Sequence, residues 1–305
     1  MKQLLKLSAA SLLVVGALSV QASTLGDVQA KGYVSCGVSK GLAGFSSADS
    51  SGTWTGVDVD VCRAVAAATL GDAQKVKFVP LTAKERFTAL QSGEIDMLSR
   101  NTTWTITRDA SLGLNFAGVN YYDGQGFMVK SSLGVSSAME LSGAAVCIQA
   151  GTTTELNLAD WGKANGIEYN SVVSDTNAQT LTNYDAGRCD VLTTDASGLY
   201  SMRAAASDPS EHVVLPEIIS KEPLGPVVRQ GDDQWFNIVR WSLNAMITAE
   251  ELGVTSATVD EVTNNPERER LMGRSGSTHE YVGLTPDWTY QIVKQVGNYS
   301  ESFER

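Results

Sequence analysis

The chain has 305 residues, 19% of them charged, with a formal net charge of −11 at pH 7 and a sequence pI of about 4.7. Nucleic-acid binding needs a basic stripe to neutralise phosphates, and no such stripe is present. The length, with only seven prolines and 7% aromatic residues, fits two domains of ordinary size better than one large one.

Lys2 and Lys6 precede an apolar run, Leu12 to Val20, that is too short to span a bilayer, and Val20-Gln21-Ala22 offers small residues for cleavage. A secretory signal peptide over residues 1–22 is therefore expected, with the mature chain free in the periplasm. No later apolar run reaches the roughly 20 residues of a spanning helix. The first cysteine is Cys36, too far along for a lipid anchor at the cleavage point. Loss of Lys2 and Lys6 leaves the mature chain more acidic still.

In an oxidising compartment the four cysteines are expected to pair, and four allow three connectivities. Cys36 and Cys62 lie early, Cys147 and Cys189 in the middle third, so pairing within each region is the economical choice. There is no C-x-x-C, and His212 and His279 are the only histidines. Neither a metal site nor a cofactor is expected.

In chain order, Tyr33–Val38 reads as a strand, followed by a glycine-rich loop, a helix from Asp58 stopped by Gly71, and a strand over Val76–Val79. Thr82 to Glu85 matches a capping box for a helix with Phe87 and Leu90 on its buried face, ended by Gly93. Ile95–Leu98 is the third strand of this parallel α/β layer. Its carboxyl end opens into a loop of hydroxyls and amides that delivers Arg108, where open α/β sheets hold small ligands. Asn101, Thr102, Thr103 and Arg108 are thus candidates to hold an anion.

The pattern repeats with strand Ala144–Ile148, a helix opened by Gly151-Thr152-Thr153-Thr154-Glu155, strand Ile167–Val173, helix Ala178–Tyr184 and strand Val191–Thr193 ending at Asp195. Tyr121–Gly126 and Lys221–Pro226 read as two crossings between the lobes. Helices around Trp235–Leu252 and Pro286–Val296 are expected to pack on the first lobe.

Gly37-Val38-Ser39-Lys40-Gly41 matches the G-x-S-x-G of a hydrolase elbow, but small loop-forming residues follow where a helix must start, and no histidine sits in a recognisable context. Thr152 and Glu155 suit a capping box, and the start of their helix suits a carboxylate. Asp195 at a strand end suits an ammonium group or a plain helix cap. An anion seat facing an acid across two lobes suits a zwitterion.

Together G-L-A-G-F, G-V-D-V-D-V-C-R-A-V-A-A-A, L-T-A-K-E-R-F-T-A-L-Q-S-G-E-I-D, S-R-N-T-T-W-T, Q-A-G-T-T-T-E and D-D-Q-W-F resemble the type II periplasmic binding proteins that serve amino-acid ABC transporters, solute-binding family 3. The match is close to the general or polar L-amino-acid binders and covers the mature chain. It implies an α/β fold of two lobes, each a mainly parallel sheet flanked by helices, with lobe 1 over 23–122 and 224–305 and lobe 2 over 123–223. It also implies a monomer that takes an L-amino acid and presents it to an inner-membrane ABC permease, with no catalytic residue.

By the same resemblance, Arg108 holds the ligand α-carboxylate, helped by Asn101, Thr103 and the amides at Thr152, and Asp195 takes the α-ammonium. Arg86, with Arg100 as a second candidate, reaches a side-chain carboxylate, which implies a preference for acidic and polar ligands. Leu42 and Ser39 stand where binders of cationic amino acids carry an aromatic and an acid, which speaks against a lysine, arginine or histidine pocket. The alternative on this fold is a dehydratase-like periplasmic enzyme, which needs a positioned acid or base in the cleft.

Overall fold

The computed structural model describes residues 23–305, and the expected leader at 1–22 lies outside the described residues. Two five-stranded sheets organise the chain. The first has the order Val76–Leu81, Val34–Ser39, Met97–Leu98, Val227–Arg229, Leu114–Phe116, and the second Asn170–Ser174, Ala145–Gln149, Val191–Asp195, Gln125–Lys130, His212–Val214. In both, the first three strands are parallel and the fourth runs against its neighbours.

Each reversed strand enters its sheet directly after a crossing. The outward crossing Tyr121–Asp123 leads into Gln125–Lys130, and the return crossing Glu222–Leu224 leads into Val227–Arg229. The crossings pair with each other as an antiparallel ladder, Glu222 opposite Asp123 and Leu224 opposite Tyr121. The hinge is therefore a small sheet, and lobe 1 is completed only once the chain has come back from lobe 2.

Val34–Ser39 is buried along its whole length, as a parallel strand covered on both faces must be. Helix Val57–Leu70 covers one face, and helix Asp233–Glu251 packs into the same core through Trp235, Ile238, Val239 and Leu243, joined by Trp288 and Ile292 of helix Trp288–Gln295. Both late helices lie on lobe 1. Cys36 is bonded to Cys62 within lobe 1 and Cys147 to Cys189 within lobe 2. Such links restrict the unfolded chain, typically by about 2–4 kcal/mol each.

Several expected edges move. The strand read over Ile95–Leu98 is only Met97–Leu98, and the one read from Ile167 begins at Asn170. The hydrolase reading of Ser39 fails on geometry: its N–H donates to Ser46 Oγ and a loop follows instead of a helix. His212 is buried in lobe 2 against the Tyr184 hydroxyl at 3.1 Å, and His279 lies in the late helix Thr278–Val282.

Candidate functional site

The floor of the cleft is tied to one buried carboxylate. Asp58, in the first turn of helix Val57–Leu70, accepts the Asn101 N–H at 2.6 Å, the Ser99 hydroxyl at 3.1 Å and the Asn120 amide at 2.8 Å. Burial pushes its carboxyl up, against the pull of those donors and of Arg100. The knot holds Asn101 at φ +30°, a value no other non-glycine reaches among the described residues. Asparagine tolerates that region better than most residues. The Asn101 side-chain oxygen is left buried without a partner.

Three arginines converge above this floor. Arg86 starts helix Arg86–Gln91 at 2% exposure, donates to Thr102 Oγ1 at 3.3 Å and reaches the Gly151 carbonyl of lobe 2 at 3.4 Å. Its Nε is buried with no partner. Arg108, in the π-helical turn Thr107–Ser111, donates to the Thr103 carbonyl at 2.9 Å, and Arg100 donates through Nε to the Leu81 carbonyl at 3.0 Å.

The Phe87 ring carries two of these cations, with the Arg86 guanidinium carbon 4.8 Å and that of Arg108 5.2 Å from its centroid. Phe87 packs on the buried face against the core cluster that holds Leu90, as expected, but only partly, because its ring also faces the cleft. Arg86, Ala89 and Leu90 are buried there, and Phe87 is half-buried as a platform. A ring face attracts guanidinium groups by its quadrupole, and an arginine stem can lie in the core while its head turns to the cleft.

Burial pulls Arg100 and Arg108 down to about 10. Arg86 is pulled well down by burial and then by repulsion from Arg108 and Arg100. Guanidinium groups keep their proton at neutral pH, so the three form a strained cationic cluster that an anion would relieve.

Lobe 2 supplies the opposing wall. Asp195 ends strand Val191–Asp195 and stands at the N-cap of helix Ala196–Ala205, yet its side chain makes no capping bond. Its carboxylate is turned instead to the cleft, towards Arg86 and the Asn101 side chain. Burial, then Asp123 and Glu222, push it up to about 8, while Arg86 and Asn101 draw it down.

Thr152 likewise occupies the N-cap of helix Thr153–Asn165 without capping it. Its hydroxyl donates to the Gln149 carbonyl at 2.7 Å, and Glu155 accepts from Gly151 N–H instead. The expected Thr152–Glu155 box is thus not closed, because both side chains are turned to the strand end before the helix. The first N–H groups of a 13-residue helix remain open beside Arg86, which is an anion seat.

The lobes touch across this space. Besides the Arg86–Gly151 bond, the Thr103 and Thr153 hydroxyls lie 3.4 Å apart and Lys84 pairs with Asp175 at 2.8 Å. Asn101, Thr103, Arg86, Arg100 and Arg108 thus face Thr152 and Asp195. Ser39 is buried beside Arg100 on the wall of a small interlobe cavity. Leu42 instead packs with Phe45, Val57 and Leu224 near the hinge.

Sequence reasoning gave no site role to Asp58, Phe87 or Glu222. Glu222, buried in the return crossing, accepts from Thr153, Asn157 and Ser220 at 3.0, 2.6 and 2.6 Å, tying the hinge to the helix start in lobe 2. An acid inside an otherwise apolar helical run is the one signal that marks Asp58. Among the described residues no group of three His, Cys, Asp or Glu side chains is placed to hold a metal.

Two α/β lobes of matching strand order, a two-stranded hinge and a closed cleft of opposed buried charges define a type II periplasmic binding protein. The chain belongs to the bacterial extracellular solute-binding proteins, family 3, whose model matches residues 34–258. It is 61% identical over 97% of its length to the general L-amino acid-binding periplasmic protein AapJ of Rhizobium johnstonii, covering 88% of that protein. It is 56% identical to the glutamate/glutamine/aspartate/asparagine-binding protein BztA of Rhodobacter capsulatus, over 96% of this chain and 87% of the other. A periplasmic binding protein from Brucella ovis, solved with glutathione bound, superposes with a TM-score of 0.90 at 58% identity, over 93% of this chain and 90% of that one. These relatives are solute-binding components of transporters and not enzymes, and the chain is a periplasmic solute-binding protein.

Proposed function

We propose that the cleft binds one L-α-amino acid, with acidic and polar side chains favoured over cationic ones, and that the closed monomer presents it to an inner-membrane ABC permease. The observation that carries this reading is the charge pattern: three buried guanidinium groups against the one cleft acid, Asp195, whose side chain caps nothing. Asp58 and Glu222 are also buried and Asp123 is half-buried near Asp195, but neutral donors occupy the oxygens of all three. An amino acid with two carboxylates and one ammonium is the complement.

In this reading Arg108, Thr103 and the open amides after Thr152 hold the α-carboxylate. Asp195 and the unpartnered Asn101 oxygen take the ammonium. Arg86, with a free Nε between the other two arginines, meets a side-chain carboxylate or donates to an amide oxygen. A lysine or arginine side chain would bring a fourth cation into the cluster, at a cost from like-charge repulsion. The names of the relatives support this: one is a general L-amino acid binder, another takes glutamate, glutamine, aspartate and asparagine. Ligand contact with both lobes favours the closed form by differential affinity.

Thermal melting against the twenty L-amino acids tests the proposal. A ligand at about 100 times its dissociation constant adds roughly 2.7 kcal/mol, a clear shift in melting temperature. Glutamate, aspartate, glutamine and asparagine are expected to give it and lysine is not. A lysine shift equal to that of glutamate would overturn the preference, and no shift with any amino acid would overturn the ligand class.

A further inference from the structure

Beside the cleft, a cavity of about 120 Å³ lies between the lobes, walled by Ser39, Lys40 and Arg100 on one side and Gln149, Asn177 and Ala178 on the other. Arg100 is 2% exposed and spends Nε on the Leu81 carbonyl. Its two terminal nitrogens make no hydrogen bond among the described residues. Opposite stands the start of the nine-residue helix Asn177–Asp185. Its capping box uses the N–H groups of Thr176 and Gln179 and leaves those of Asn177 and Ala178 without partners.

Of the acids near Arg100 and the cavity, Asp58 partly offsets the guanidinium charge but accepts its hydrogen bonds from Ser99, Asn101 and Asn120, Glu85 pairs with Lys40 at 3.3 Å and Asp175 with Lys84 at 2.8 Å. A buried guanidinium with unused donors therefore faces the positive end of a helix with unused donors. Both favour an anion; the helix start is no part of the amino-acid cradle, and of the three clustered arginines Arg100 alone is assigned no atom of the amino acid.

We propose that this cavity is a second anion seat, which receives the far carboxylate of a γ-glutamyl peptide whose glutamyl head lies between Arg108 and Asp195. The inference rests on the amino-acid reading of the cleft. The linkage follows from that cradle. It needs a free α-carboxylate and a free α-ammonium on the same carbon, and an ordinary peptide bond consumes one of them. Extension through the side chain keeps both, and of the side-chain links the one through a carboxyl also leaves a carbonyl acceptor for the free Nε of Arg86. That bond turns the side-chain carboxylate into a neutral amide, to which Arg86 donates, and moves the second negative charge outward to Arg100. At about 30 Å³ per water the cavity has room for some four waters, which suits a short acidic arm and excludes a folded partner. The Brucella relative, solved with glutathione bound, carries a ligand of this class.

Calorimetry with glutamate, glutathione and glutathione amidated at its glycyl carboxylate tests the seat, on the wild type and on Ala178→Glu and Asn177→Pro. Ala178 is exposed, and an acid in the first helical turn favours the helix, so Ala178→Glu should fold. Proline at the first helical position removes one free N–H and is compatible with the helix. The wild type is expected to bind glutathione at least about tenfold more tightly than its amide, as a charge-assisted contact requires. Ala178→Glu is expected to weaken glutathione by about tenfold and Asn177→Pro by a few-fold, with glutamate held within about twofold in both. Equal binding of glutathione and its amide, or equal losses for glutathione and glutamate in Ala178→Glu, would overturn the seat. So would a wild type that binds glutamate but not glutathione. A wild type that binds neither would overturn the amino-acid cradle itself.

Discussion

Arg86 Nη2 donates to the Gly151 carbonyl oxygen across the cleft at 3.4 Å, so the residue at the centre of the cationic cluster is also a contact between the lobes. Gly151 can come so close because it lacks a side chain. Its φ is +74°, and a Cβ there would lie 3.0 Å from Lys84 Cγ and 3.2 Å from Lys84 N in lobe 1.

Gly151→Ala should therefore oppose closure. The positive φ adds roughly 1 kcal/mol of local strain in either state, but the clash with Lys84 exists only when the lobes meet. Ligand affinity is expected to fall by about tenfold or more, equivalent to about 1.4 kcal/mol, while the unliganded protein stays folded. Calorimetry paired with small-angle scattering checks this. Wild-type affinity together with full ligand-driven compaction would show that the approach of Gly151 to Lys84 is not needed for closure.

Arg108 and Arg86 should separate by ligand. Arg108→Ala is expected to weaken every amino acid by about 2–5 kcal/mol, since it leaves the α-carboxylate unpaired, and Arg108→Lys should not rescue it because a point charge lacks the fork. Arg86→Ala should weaken glutamate much more than alanine or serine. Titrations of both variants with glutamate and alanine read the difference. Near-normal affinity in Arg108→Lys, or equal losses for the two ligands in Arg86→Ala, would contradict the assigned roles.

The Asp195 carboxyl predicts a pH dependence. Burial, then Asp123 and Glu222, raise it from the ordinary 3.8 to about 8. For an acid shifted upward, the native state holds the proton more tightly than the unfolded chain. Its contribution to stability is full below pH 3.8 and is lost as pH rises towards about 8. A bound ammonium supplies the missing counter-charge, so binding near pH 6.5 should release a proton, and affinity should climb with pH before levelling near pH 8. Calorimetry in two buffers of different ionisation enthalpy measures that proton. Asp195→Asn should abolish the release along with tight binding. No release from the wild type, with affinity flat over this range, would mean that Asp195 is ionised before the ligand arrives.

Asp58 should act on ligand without touching it. Asp58→Asn converts a carboxylate with three donors into an amide that can accept fewer, and hydrogen bonds to charged groups are worth about 1.5–3 kcal/mol each. Asn101 is then no longer held at φ +30°. Affinity is expected to drop by about ten- to a hundredfold, with the losses alike for glutamate and alanine because the ammonium contact is common to both. Equal losses would mark a positioning role for Asp58. A loss confined to glutamate would place Asp58 on the side-chain path instead, and wild-type affinity would leave it a purely structural acid.

The periodicity of Val34–Ser39, of helix Val57–Leu70 and of their counterparts in lobe 2 was legible from residue order, because period and end signals are local properties of the chain. The loop after Leu98 was marked as an anion site by composition and by its place at a strand end. Local pattern misled where a side chain's direction depends on what packs against it. Phe87 packs only partly on the Leu90 cluster, since a cleft lined by two guanidinium groups draws its aromatic face towards it. Thr152 and Glu155 have capping spacing, yet both turn away because Gln149 and Gly151 offer nearer partners.

The sequence by itself determined two successive α/β units, the acidic charge, the paired cysteines by count, and the polar residues available at the strand ends. Only the tertiary structure decided that Val227–Arg229 returns to complete the first sheet, that Asp58 secures the Asn101 loop, and that Gly151 of one lobe meets Arg86 and Lys84 of the other. Those relations join residues from about 40 to well over 100 positions apart. Nothing in a short window encodes them, because they arise from burying one folded surface against another and from satisfying the charges enclosed between them.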